Sequence, residues 1–144
     1  KLQLFGPMEK GVFQPGDRYS IFDLGDRRAA LLICYDVEFA HHVRALHEAG
    51  VDLLLVPRAS PHASAKKWLA GGQTAAVCSG AYCLSSNLWA PAGGKADLGG
   101  LGWITDPEGN ILATTSPDDP FATVEIDLAF ARDSKRTYPR YVPE

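Results

Sequence analysis

"AALLICYDVEFAHHVRALHEAGVDLLLVP", residues 29–57, decides the fold. "AALLICY" is a near-continuous apolar run of strand length, the pattern of a strand buried on both faces. "VEFAHHVRALHEAG" sets Phe39, Val43 and Leu46 at helical spacing, and Gly50 is a natural C-terminal stop. "VDLLLVP" is a second buried run, ended by Pro57. Strand, helix, strand is a βαβ unit, which predicts parallel strands joined by a right-handed crossover.

Working outward, "YSIFDL" predicts a strand that turns back at Gly25-Asp26. "SAKKWLAGGQTAAVCSGAY" predicts a helix of small residues, weakened at Gly71-Gly72, and "YCLSSN" a further strand. "APAGGKADLGG" reads as a flexible loop, and "LGWITDPEGNILATTS" as a hairpin around Pro-Glu-Gly-Asn. In "FATVEIDL", Ala122, Val124, Ile126 and Leu128 alternate with polar residues, which predicts a half-buried strand. No repeat or linker interrupts the chain, so residues 1–144 are expected to form one α/β layer structure.

The composition excludes several classes. Of 144 residues, 46% are hydrophobic and 22% charged, as in an ordinary globular chain. A net charge of -3 argues against a nucleic-acid surface. The basic cluster Arg132, Lys135, Arg136 and Arg140 reads as a solvated or docking tail. No apolar run approaches the roughly 20 residues of a membrane span, and no signal-peptide pattern is visible from Lys1 onward. Three Cys cannot all pair within one chain, and they lack the CxxC spacing of a zinc site. That usage suits a reducing, cytoplasmic compartment.

Cys34 ends the first buried run just before the predicted helix. A thiol there leaves the carboxyl edge of the sheet, where α/β ligand sites form, and meets a helix N-terminus that favours thiolate. Position alone leaves two readings open: a nucleophile, or an inert continuation of the apolar run. Cys78, among Ala and Val, and Cys83, within a strand, read as core. A thiolate nucleophile needs a base. His41, His42 and His47 fall on the helix after Cys34, on its expected wet face. His62 follows the second strand and is the one His placed to approach the carboxyl edge. Asp36, Glu38, His41 and His42 are bunched, but adjacent His residues point apart on a helix, which argues against a shared metal.

Four phrases then act together. "KLQLFGPMEKGVFQPGD" carries Lys1 and Glu9, "LLICYDVEF" carries Cys34-Tyr35-Asp36, and "AGVDLLLVP" and "GWITDPEGNILA" follow. The combination resembles the nitrilase superfamily, the carbon–nitrogen hydrolases, over nearly the whole chain. Gln3 stands where His is usual in that family, and Ala40 where Pro is frequent. The resemblance implies an αββα sandwich, of which this chain supplies the C-terminal part. Family domains carry a substantial portion before this Lys, with a further Glu that serves as general base. Lys1, with no initiator Met, therefore reads as an internal position of a larger domain.

The resemblance implies Cys34 as nucleophile, Lys1 as the cation that stabilises developing charge, and Glu9 as its orienting partner. Tyr35 and Arg58 are candidate substrate-binding residues. Arg58 reads equally well as a surface salt bridge. The expected reaction is hydrolysis of a small carboxamide to a carboxylate and ammonia through a thioester, with no metal or organic cofactor. "CYDVEF" is closer to the amidase branches than to the nitrilase branch, which tends to carry Trp-Glu after the Cys. A nitrilase or a carbamoyl-amide hydrolase is the alternative within the enzyme class. Outside it, a non-catalytic half-domain acting as a binding or assembly module remains open. The expected partners are a small amide or nitrile and a second copy of the protein, as a homodimer or higher homo-oligomer, and neither nucleic acid nor membrane.

Overall fold

The computed structural model describes residues 1–142. After a short helix α1 (Gly6–Glu9), strands β1 (Ser20–Leu24) and β2 (Arg27–Leu31) form an antiparallel hairpin. Helix α2 (Ala40–Glu48) leads to β3 (Leu53–Arg58), and α3 (Ala65–Ser79) to β4 (Tyr82–Asn87). Strands β2 and β3 are parallel neighbours, as the βαβ pattern predicts, and β4 adds a further parallel strand beside β3. The hairpin β5 (Trp89–Ala90) with β6 (Leu98–Gly99) brackets the loop expected to be flexible. Strands β7 (Trp103–Thr105) and β8 (Ile111–Thr114) complete a six-stranded sheet of order β1-β2-β3-β4-β7-β8.

Helices α2 and α3 cover one face. Leu54 and Val56 of β3, Ala30 of β2 and Cys83 of β4 pack there against Val43, Leu46 and Ala75. Helix α2 stops as predicted. Gly50 takes φ 72°, its N–H donates to His47 O at 2.9 Å, and Val51 N–H donates to Leu46 O at 3.1 Å. These paired bonds are a Schellman closure, which needs a residue tolerant of positive φ. On the opposite face Leu31, Leu55, Leu84 and Ile104 lie side by side in register and stay only half covered. One helical layer on one sheet is one half of an αββα sandwich. The bare apolar face explains why β2 and β3 read as runs fit to be buried on both sides.

Several expectations need correction. Pro57 does not end the second strand: β3 runs on to Arg58, and Pro57 stands in register with Ser86. Gly71-Gly72 do not weaken α3, because close packing uses the missing side chains. A Cβ on Gly72 would sit 2.5 Å from Trp103 Nε1. Residues 121–128 alternate between exposed and half-buried, as read, yet residues 121–127 form no ladder and Leu128 opens helix α4 (Leu128–Ser134). Alternation fixes which side of an extended segment faces the protein; it does not supply a strand partner. Asp127 caps α4 through Ala129 N–H at 2.8 Å.

The basic cluster is not simply a solvated tail. Arg132 and Arg136 are exposed, but Arg140 is buried. Its guanidinium donates to Ser134 O, Val77 O and Pro107 O and pairs with Glu108 at 2.6 Å. Lys135 donates to Gly80 O at 3.0 Å and lies 3.8 Å from Asp52, and burial pulls its ammonium down to about 8. These cations staple the C-terminal segment onto α3 and the β7–β8 turn.

Gly72→Ala is expected to lower the unfolding free energy by about 1–3 kcal/mol, because the added methyl must displace a buried indole. Urea denaturation measures this, and an unchanged midpoint would show that Trp103 can move aside.

Candidate active site

The turn after β2 carries the sharpest local feature. Cys34 has φ 55° and is the one non-glycine residue with positive φ among the described residues. A left-handed L-residue stores strain on the order of 1–3 kcal/mol, which the surroundings must hold in place. Cys34 opens a single 3-10 segment, Cys34–Glu38, and α2 begins only at Ala40. Cys34 is therefore separated from α2 by this short turn and does not directly precede that helix, as its sequence position suggests.

Asp36 holds this turn. Its carboxylate is 1% exposed. It accepts Ile33 N–H at 3.2 Å while Asp36 N–H donates to Ile33 O at 3.3 Å, closing a reciprocal turn around Cys34. The same carboxylate accepts Leu2 N–H at 3.0 and 3.1 Å and Gln3 N–H at 2.7 Å. One buried side chain thus ties the N-terminal segment to the cysteine turn.

Lys1 and Glu9 are brought together as expected. Lys1 Nζ lies 2.5 and 2.6 Å from the two carboxylate oxygens, and Phe5 N–H donates to Glu9 Oε2 at 2.5 Å. The bond from Lys1, and next the one from Phe5, hold the Glu9 carboxyl below its usual range. Lys1, Glu9, Cys34 and Arg58 line one cavity of about 960 Å³. Much of its remaining wall is apolar, with Phe5, Met8, Ile33, Trp68, Leu88 and Leu98.

Arg58 is 5% exposed, which rules out the surface salt bridge. Its Nε donates to Ser85 Oγ at 2.7 Å, and its terminal nitrogens donate to Ser60 Oγ at 2.6 Å and Leu101 O at 2.5 Å. The guanidinium lies 4.0 Å from the Trp103 ring and 5.4 Å from the Trp68 ring. Burial pulls it down to about 10, so it stays charged at neutral pH. Tyr35 stands behind the wall, edge-on to Phe5 with centroids 5.5 Å apart and to Phe39 at 5.0 Å.

The histidines depart from the sequence reading. His41 is exposed, but His42 is 6% exposed. A neutral ring with its proton on Nδ1 satisfies both His42 contacts, donating to Tyr19 Oη at 3.0 Å and accepting from Gln3 Nε2 at 3.4 Å. Burial, reinforced by His41, lowers its pKa. His47 is half-buried and meets Ser79 O at 3.0 Å. His62 meets Ala90 O at 3.0 Å and so anchors the β5–β6 hairpin. Cys83 is fully buried, which pushes its thiol up to about 12, whereas Cys78 is half-buried at the edge of the core. Among the described residues no group of three or more His, Cys, Asp or Glu gathers as a metal site, and no helix is long and apolar enough to cross a membrane.

Residues 1–136 match the carbon-nitrogen hydrolase family. The chain belongs to that family. An amidase of Nesterenkonia sp. superposes with TM-score 0.68 at 34% identity, over 81% of this chain and 44% of that one. That amidase has been solved with butyramide in a cysteine-to-alanine variant, and with the acetamide moiety of fluoroacetamide added covalently at the active-site cysteine. An (R)-stereoselective amidase of a Pseudomonas species is 28% identical over 92% of this chain and 48% of its own length. The omega-amidase of Bos taurus is 25% identical over 91% and 48%. The chain thus spans about half the length of these carbon-nitrogen hydrolase relatives.

The Glu9 pair gives a pH dependence with a definite sign. The folded carboxyl lies below the unfolded value of 4.5. Its contribution to stability is complete above that value and is lost as pH falls through the folded pKa. The stability gap between the native protein and Glu9→Gln is therefore expected to close below pH 4.5. Urea titrations at stepped pH measure it, and a gap that stays constant to lower pH would contradict the pairing.

Proposed function

We propose that residues 1–144 are the C-terminal part of a carbon-nitrogen hydrolase domain, and that the assembled domain is a cysteine-dependent amidase for small carboxamides. The observation that carries this reading is the meeting of Cys34 with the Lys1–Glu9 pair on one cavity. The amidase relatives support the reaction class, and their length, about twice the matched segment, supports a further portion, which the resemblance implies lies before Lys1.

In this reading the Cys34 sulfur attacks the carboxamide carbon. Charge gathers on the carbonyl oxygen, where the Lys1 ammonium stabilises it by about 3–4 kcal/mol, as a well-placed donor does. Glu9 keeps that ammonium charged and aimed. The C–N bond breaks, the nitrogen takes the proton given up by the thiol, and ammonia leaves a thioester on Cys34. Water then cleaves the thioester to a carboxylate and the free thiol. The proton carrier in both steps is a Glu contributed by the preceding portion. Arg58 and the apolar side chains form the acyl wall, and Tyr35 supports it through Phe5. A thiol nucleophile suits a reducing cytoplasm, and the resemblance supports a homo-oligomer, which light scattering on the complete protein reads.

In the complete protein, Cys34→Ser is expected to abolish ammonia release from butyramide while leaving the melting temperature near native. A limiting thiol alkylator should label Cys34 ahead of Cys83, and activity should fall in step with the Cys34 label. Near-normal turnover by Cys34→Ser would end this reading.

A further inference from the structure

We infer that Asp36 is a positioning residue that sets the Lys1 ammonium against the Cys34 thiol by clamping the backbones of both. The inference rests on the amidase reading of the site but assigns a role to a residue outside its reacting groups. Three observations carry it. The carboxylate is buried, and among the described residues its donors are backbone N–H groups, not a cation. Those donors come from two segments about thirty residues apart in sequence, Leu2 and Gln3 beside Lys1 and Ile33 beside Cys34. Cys34 sits inside the turn that Asp36 closes, in a strained conformation that the turn must hold.

The local chemistry leaves little alternative. A buried carboxylate needs donors on most of its lone pairs, and a backbone N–H presented to it is fixed to the ångström. Leu2 and Gln3 are the first two residues after Lys1, so their N–H groups fix where the Lys1 side chain begins. Gln3 adds a weaker hold through His42 at 3.4 Å. Loss of the Asp36 clamp leaves Lys1 held by Glu9 and, at its carbonyl, by Gly16 N–H at 2.8 Å, both within the N-terminal segment, which can then drift from the thiol as a unit.

Asp36→Asn keeps the shape but turns an N–H₂ toward backbone donors. In the complete protein this variant is expected to lower kcat on butyramide by about 10²-fold with KM nearly unchanged, the cost of an ångström-scale misplacement. Labelling of Cys34 by iodoacetamide at pH 7 is expected to slow about tenfold, but less than about twofold when Lys1→Met is already present, because both substitutions act through the Lys1 ammonium. An equal slowing in both backgrounds, or a kcat close to native, would overturn the inference. If Asp36→Asn does not fold, Asp36→Glu carries the same cycle: it keeps the charge, shifts the oxygens by one carbon–carbon bond, and should give the same dependence on Lys1 at smaller amplitude. Cys34→Ala separates the two claims, since turnover that survives in it fails the amidase reading whatever Asp36 does.

Discussion

A carboxylate withdrawn from water must be given donors, and the site depends on how Asp36 meets that demand. Three backbone N–H groups from two distant segments converge on it. The fold supplies the convergence. Strand β2 ends at Leu31 beside β3, Leu32 N–H still bonds Leu55 O at 3.1 Å, and the chain then turns sharply through Cys34. The N-terminal segment returns over that turn because its amides are needed there. Removing water from the carboxylate is thus coupled to bringing Lys1 to the cysteine.

The second constraint is a buried cation. Arg58 leaves the end of β3 beneath the cavity, where two hydroxyls, a carbonyl and two indole faces receive it. A planar guanidinium suits such a slot, because its fork reaches several acceptors and its faces stack on aromatic rings. Its charge forms part of a cavity wall that is otherwise largely apolar, held in place rather than exposed as a flexible cation. Trp103, which stacks on Arg58, also closes against Gly72 of α3. Helix packing and cavity electrostatics therefore share one side chain.

Periodicity made most of the scaffold legible. The runs at 29–35 and 51–57, the helical spacing of Phe39, Val43 and Leu46, and the stop at Gly50 are local signals with local causes, and the parallel β2–β3 pair follows from them. The strand read at 121–128 failed because alternation specifies a face and not a partner. His42 was misread as wet because its burial comes from Tyr19 and Gln3, which no helical period encodes. Lys1, Glu9 and Cys34 were legible through resemblance rather than spacing. In the sequence Asp36 stands out only as the acid of the Cys34-Tyr35-Asp36 phrase and as one of a bunch with Glu38, His41 and His42. Its significance lies in contacts with residues 2 and 3, and a contact across that separation leaves no periodic trace. Arg58 was found, but not its depth, since burial of a cation at a strand end depends on Ser60, Ser85 and two tryptophans from other elements.

The central claim is that Cys34 forms a covalent acyl intermediate. It is tested most directly by acid-quenching the complete protein during steady-state turnover of butyramide and weighing its peptides by mass spectrometry. The expected result is a butyryl adduct on the Cys34 peptide that appears with turnover and decays when substrate is exhausted. Ammonia release with no acyl group on Cys34, or with the acyl group on another residue, would contradict it.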